Sequence, residues 1–269
     1  MTYSLGGFAV EERNGAGHPT TFKPDAEVQA ECAIIANASP DVLVCQDIGD
    51  GAAFQKLRDG LKSAGLDYPH AEQLVMAGET THITLLSRFP IAAYEPVTNE
   101  VFTIAGESHR VEHGFLCADI QVNDGYQFKL VCVHLRSKRF VVTGQTEMRR
   151  NEARLLNKIV RHFLHDKPDL NLLVVGDLSD SPKSAAVREV ISGSGTPVLD
   201  DLRPADSLGA VWTHLLPAED NYERWDYLLC SPGMLRETVA PKCRVVEDPL
   251  VLKASDHRPV VAVFHAQDL

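Results

Sequence analysis

Six side chains able to titrate or bind metal stand at the ends of apolar runs: Asp47, His134, Asp177, Asp226 and the adjacent pair Asp256 and His257. The clearest run is Leu172-Leu173-Val174-Val175-Gly176-Asp177-Leu178-Ser179-Asp180-Ser181-Pro182. Its four apolar residues read as a short strand buried on both faces. The glycine permits a close backbone turn, and a carboxylate follows where the strand stops. In α/β layers, the carboxyl ends of strands are where ligands sit. Asp41-Val42-Leu43-Val44-Cys45-Gln46-Asp47 repeats the pattern, and each position also has a plainer reading as a turn acid or a surface imidazole. Taken together, four carboxylates and two imidazoles with no thiolate nearby suit a hard divalent cation, Mg²⁺ or Mn²⁺, better than structural zinc. Ser179 has no base beside it in sequence, and none is needed if water is the nucleophile.

Positioning these residues requires many short strands. Strands are expected over 2–10, weakened by Gly6 and Gly7, and over 41–47, 81–87, 94–103, 115–122 and 126–135. Asn123-Asp124-Gly125 supplies a hairpin turn between the last two, since Asp-Gly tolerates positive φ. Further strands are expected over 172–177, 225–230 and 259–265, with a loop over 11–24 and a looser region over 194–223. Apolar spacing predicts helices over 25–38, 52–64, 145–165 and 183–192. The longest of them presents Met148, Leu155, Ile159 and Phe163 inward. Hairpins mixed with helices argue for an α/β (α+β) four-layer sandwich, two packed mixed sheets flanked by helices, rather than a parallel doubly wound sheet.

The 269 residues carry 26 basic and 37 acidic side chains, a net charge of −11. That lacks the global basic footprint of a nonspecific nucleic-acid binder, although bound metal and one basic loop would still serve a nuclease. No linker, composition shift or repeat divides the chain, so one domain over 1–269 and a monomer are expected. No apolar run reaches membrane-spanning length and no signal peptide is visible, which points to the cytoplasm; a secreted form trimmed of its leader would look the same. The six cysteines show no CxxC pair and read as buried thiols in a reducing compartment. Arg136-Ser137-Lys138-Arg139, with Arg149 and Arg150 following, is the one dense basic cluster; it reads equally as a clamp for flanking phosphates or as a solvated loop. Trp212 and Trp225 read as core packing before base stacking.

Six stretches, in order, carry a resemblance. Pro40-Asp41-Val42-Leu43 with Gln46-Asp47, Leu86-Ser87-Arg88-Phe89-Pro90-Ile91 and Val133-His134-Leu135 are the first three. Gly176-Asp177-Leu178-Ser179-Asp180, Asp226-Tyr227-Leu228-Leu229 and Ser255-Asp256-His257-Arg258-Pro259-Val260 complete the set. Over nearly its whole length the chain resembles the endonuclease/exonuclease/phosphatase superfamily of metal-dependent phosphoesterases. The resemblance implies a divalent-metal-dependent hydrolase that cleaves a phosphodiester or phosphomonoester with activated water. The substrate would be a nucleic acid, a phospholipid head group or a small organophosphate.

It also implies roles. Asp47 falls where the family has its metal-binding Glu, and Asp256 would support the metal or the histidine beside it. His134 and His257 would contact the phosphate, Asp177 would position or deprotonate water, and Asp226 would serve the metal region or leaving-group proton transfer. Ser4 and Ser179, in the places of two family Asn residues, would bind substrate; Arg136 and Lys138 are substrate-binding candidates from their place just after His134 alone. Three positions depart from the family pattern: Ser4 replaces an Asn, Asp47 a Glu and Ser179 an Asn. Each substitution shortens a side chain directed at the site, and losing one oxyanion donor costs on the order of 10²–10³ in rate. The alternative is therefore a degenerate member that binds a phosphorylated ligand or partner with little turnover.

Overall fold

A computed structural model describes residues 1–11, 20–193 and 195–269. Two six-stranded sheets form its centre. The first runs, in spatial order, Arg244–Val245, Val260–Val261, Thr2–Ser4, Val42–Ile48, His82–Ser87, His70–Leu74. The second runs Asp200–Asp201, Asp226–Cys230, Leu172–Asp177, Tyr126–His134, Phe115–Asn123, Ile91–Tyr94. Each holds one parallel pair within an otherwise antiparallel ladder: Thr2–Ser4 with Val42–Ile48, and Tyr126–His134 with Leu172–Asp177.

Period-2 alternation divides the apolar residues between faces. Val44, Ile83 and Leu85 meet Leu116, Leu130, Cys132, Val175 and Leu228 between the sheets. On the outer face of the second sheet, Val131, Val133, Val174 and Leu229 pack on the helices Gln145–Asp166 and Ala185–Ser192. Leu43, Cys45 and Leu86 lie on the outer face of the first sheet, against Asp25–Ala38 and Gly51–Ser63. Asp50 starts the latter helix, its Oδ1 accepting from the backbone N–H groups of Ala52 and Ala53 at 3.0 Å each. The four-layer sandwich expected from the sequence is thus the fold.

Several boundaries differ, each for a physical reason. The expected strand 2–10 breaks at Gly6 and Gly7, whose φ values of 56° and 76° turn the chain. Ala9–Glu11 then pairs with Thr20–Phe22 in a separate hairpin, and the remainder of the expected loop, 12–19, lies outside the described residues. The expected strand 94–103 is two pieces: Ile91–Tyr94 in the second sheet, and Val101–Ile104 in a hairpin with Glu107–Arg110. His70–Leu74 is an edge strand of mostly half-buried polar residues, so no apolar run announced it. The strand expected at 259–265 shortens to Val260–Val261. In the long helix the buried stripe is Met148, Ala153, Leu156 and Val160, while Leu155, Ile159 and Phe163 are only partly buried beside it. The apolar period misled because Arg149, Glu152 and Asn157 are buried on that inward face, where the first two hold the loop at Arg136 and Asn157 holds the helix Ala185–Ser192. All six cysteines are unpaired, five of them buried and Cys243 half-buried. No helix among the described residues is long and apolar enough to cross a membrane.

Candidate active site

Three adjacent strands of the second sheet end in register. His134 is the partner of Asp177 on the parallel neighbour, and Asp177 is the partner of Asp226 on the antiparallel one. Directly opposed residues project to the same face, so the sheet sets these three side chains in a row. Gly176 makes the row possible. Its φ is 137°, and a Cβ built there would lie 1.9 Å from the Val133 carbonyl oxygen. The Gly-Asp sequence thus records a close strand approach immediately before the carboxylate.

Contacts continue the row in both directions. Ser4 Oγ donates to Asp47 Oδ2 at 3.0 Å, and Asp47 Oδ1 lies 3.8 Å from His134 Nδ1. His134 Nε2 is 3.6 Å from Asp177 Oδ2, which is 4.0 Å from His257 Nε2. His257 Nδ1 is 2.8 Å from Asp226 Oδ2, so the carboxylate holds the ring. Asp177 Oδ2 therefore sits between two imidazole nitrogens, at separations too long for direct hydrogen bonds. Asp47 and Ser179 both adopt left-handed backbone, with φ of 58° and 51°. Such strain in non-glycine residues concentrates at functional sites.

The charges follow from the same contacts. Burial alone would push His257 down, but the charge and hydrogen bond of Asp226, with Asp177 and Asp256, raise it to about 10. It is an imidazolium at neutral pH. Burial raises Asp177 above the usual carboxylate range, against the pull of His257 and His134 and with the push of Asp226. Asp47 is held below that range: burial opposes, but His134, His113, His257 and the Ser4 hydroxyl outweigh it. Asp256 falls to about 2, because its hydrogen bond to His214 and the charges of His257 and His214 outweigh burial.

The remaining sequence candidates lie differently. Asp256 is exposed and set beside His214, with Oδ2 at 3.5 Å from Nε2. Ser179 is fully buried; its Oγ donates to the Leu135 carbonyl, and its N–H donates to Asp177 Oδ1 at 2.6 Å. The Arg136 side chain is paired with Glu112 and lies 3.9 Å from Glu152, while Lys138 is on Glu223 at 2.7 Å and over the Trp225 ring. Arg149 is buried on Asp180 and on the carbonyls of Arg136 and Ser137, so it braces the basic loop, and Arg150 pairs with Glu189. Trp225 is buried as expected, and it forms the wall of the site, stacked on His214 at 3.8 Å.

Two histidines of this region escaped the sequence reading. His113 stacks on His134 with ring centroids 4.2 Å apart and planes within 4°. Burial, followed by the neighbouring His134 charge, pushes it well below the ordinary imidazole value. His214 belongs to the three-residue strand His214–Leu216, too short for any periodic signal. A histidine preceding the strand at Phe115, and another within Trp212-Thr213-His214-Leu215, were the only traces available.

The carboxylates of the site most open to an ion are Asp47 and Asp256. Asp47 and Asp256 are both held ionised, and their side chains are 23% and 45% exposed, whereas those of Asp177 and Asp226 are 3% and 0%. Beside Asp47, His134 Nδ1 is buried without a hydrogen-bond partner, as is Asp226 Oδ1. Unpaired buried polar atoms around open carboxylates mark a place for a polar ligand or ion.

No family profile matches the chain, and no curated protein matches it. Solved structures do. Truncated TDP2 of Caenorhabditis elegans superposes with a TM-score of 0.65 at 18% identity, over 97% of this chain and 100% of that one. An endonuclease/exonuclease/phosphatase family protein from Leptotrichia buccalis gives 0.63 at 15% identity over 98% of each chain. The human Nocturnin catalytic domain, solved with a bound sulfate anion, gives 0.61 at 15% identity over 91% of this chain and 88% of that one. The chain shares the fold of these structures, one of them an endonuclease/exonuclease/phosphatase family protein.

Proposed function

We propose that the protein is a divalent-metal-dependent phosphoesterase, using Mg²⁺ or Mn²⁺, that hydrolyses a phosphate ester with an activated water. One observation carries this reading: Asp177 Oδ2 stands between His134 Nε2 and His257 Nε2 at 3.6 and 4.0 Å, inside a row fixed by strand register. The raised affinity of Asp177 for a proton suits a base that orients water and takes its proton. His257, held as an imidazolium by Asp226, presents Nε2–H to a non-bridging phosphate oxygen. His134 contacts the same phosphate from the opposite side. Preorganised donors aimed at developing charge supply much of the catalysis in such reactions. Asp47 and Asp256 would hold the cation, which supplies neutralisation of phosphate charge when bound. Nocturnin's bound sulfate, an anion shaped like phosphate, is consistent with an oxyanion site in this fold.

The six unpaired thiols support residence in a reducing compartment. Substrate class stays at nucleic acid, phospholipid head group or small organophosphate. Arg136 and Lys138 would reach flanking phosphates only by exchanging Glu112 and Glu223 for substrate.

A second reading rests on the two short hydroxyls. Ser179 Oγ is spent on Leu135, and Ser4 Oγ on Asp47, which leaves neither free as an oxyanion donor. That favours a phosphate-binding member with little turnover. Hydrolysis of aryl phosphates, nucleic acids and phospholipid head groups, with and without Mn²⁺, separates the two. The enzyme reading expects turnover that EDTA abolishes. No turnover on any substrate, with phosphate still raising the melting temperature of the metal-loaded protein, supports the second.

A further inference from the structure

Beside the row lies a different grouping. Among the described residues, one set of three metal-binding side chains has ligand atoms within 4.8 Å of one another: His214, Asp256 and His257. Asp47 is not part of it. We propose that His214, Asp256 and His257 form a three-ligand site for a transition-metal cation of the zinc class, with Asp226 orienting His257 from behind.

The spacing is already close to that of a bound ion. Asp256 Oδ2 is 3.5 Å from His214 Nε2. Two ligands on a tetrahedral zinc, each about 2.0–2.1 Å from the metal, stand roughly 3.3 Å apart. His257 has its Nδ1 committed to Asp226 at 2.8 Å, so Nε2 is the nitrogen it offers. A carboxylate fixing a histidine through the nitrogen that does not bind metal is the usual support of a zinc ligand. Two imidazoles and one carboxylate prefer zinc or a similar ion to Mg²⁺, which favours oxygen donors.

The fold also holds these side chains in place without metal. The Trp225 ring stacks under His214 at 3.8 Å and sets its plane. The segments carrying the ligands are tied together by Leu215 N–H donating to the Asp256 carbonyl at 2.8 Å and Arg258 N–H donating to the Thr213 carbonyl at 2.6 Å. His214 Nδ1 has no hydrogen-bond partner, so this ring, unlike that of His257, is oriented by the Trp225 stack rather than through that nitrogen. Three protein ligands leave one position of a tetrahedral ion open, which separates this arrangement from a closed structural site. Zinc would take His257 Nε2, the atom that faces Asp177, in place of the proton that the imidazolium carries there, which is released to solvent. The site would therefore compete with the phosphate contact proposed above, although its existence does not depend on that contact.

The test is a calorimetric zinc titration of the untagged full chain after metal removal, without substrate. Wild type is expected to bind one equivalent. His214→Phe keeps an aromatic ring on Trp225 and removes a ligand; Asp256→Asn alters an exposed side chain and leaves the core intact. Each is expected to weaken binding at least about tenfold, and Asp226→Asn by about 10–100-fold. Melting curves without metal establish that each variant is folded, and if His214→Phe is not, Asp256→Asn decides. Absence of stoichiometric zinc in wild type, or wild-type affinity in the folded ligand variants, overturns the site. Zinc affinity is read apart from phosphoester hydrolysis, which an ion on Asp256 and His257 would inhibit.

Discussion

Asp226 Oδ2 and His257 Nδ1 lie 2.8 Å apart with both side chains buried, joining the end of one strand to the segment that precedes another 31 residues later. The pair fixes both the charge and the direction of the ring, since a carboxylate on Nδ1 leaves only Nε2 to face Asp177. Asp226→Asn keeps the shape and loses the charge. Its turnover is expected to fall by about 10²–10⁴, in the range of general acid–base contributions, with little change in KM. Steady-state kinetics on the best substrate check this. Near-wild-type turnover would show that His257 works without its partner.

Gly176 is the backbone counterpart of that pair. A Cβ there would meet the Val133 carbonyl oxygen at 1.9 Å, a contact with backbone that no side-chain rotation relieves. Gly176→Ala is expected to cost about 3 kcal/mol or more, among the larger single-substitution effects. Urea denaturation measures it. A loss under about 1 kcal/mol would mean that the two parallel strands separate easily.

Glu152 ties the site to the long helix. Its oxygens accept from Glu112 N–H at 3.0 Å and Arg136 N–H at 2.8 Å, so it holds the residues flanking both His113 and His134. Burial raises it from 4.5 to about 7, although those N–H groups and Arg136 pull it down. Between these values the folded chain keeps a proton that the unfolded chain has lost. The stability this contributes is complete below pH 4.5 and disappears as pH rises through 7. Glu152→Gln does not titrate, so the melting temperature of wild type minus that of the variant is expected to fall from pH 4.5 to 8. A difference that stays constant or rises would contradict the shift.

Much of this was legible in the chain. Apolar runs bounded by an acid marked the strand ends near Asp47 and Asp177 and the strand start at Asp226, because a strand buried on both faces must be apolar along its length. The layered fold followed from hairpin turns set between helical periods. What stayed hidden depended on contacts across the fold. His113 acquires its place by stacking on His134, and His214 by a three-residue strand lying beside Asp256 and Trp225. The basic loop looked free in sequence because Glu112, which engages Arg136, and Glu223 and Asp180, which engage Lys138, lie far along the chain. Long-range ion pairs leave no local pattern.

The central claim is that Asp177 activates water for attack on a phosphate ester in a metal-loaded site. Its most direct test runs wild type and Asp177→Asn side by side, with saturating Mn²⁺, on the best substrate of the panel. Wild type is expected to turn over, EDTA to stop it, and the variant to bind substrate and metal while losing about 10²–10⁴ in rate. Equal rates in the two proteins, or no metal-dependent hydrolysis by wild type, would contradict it.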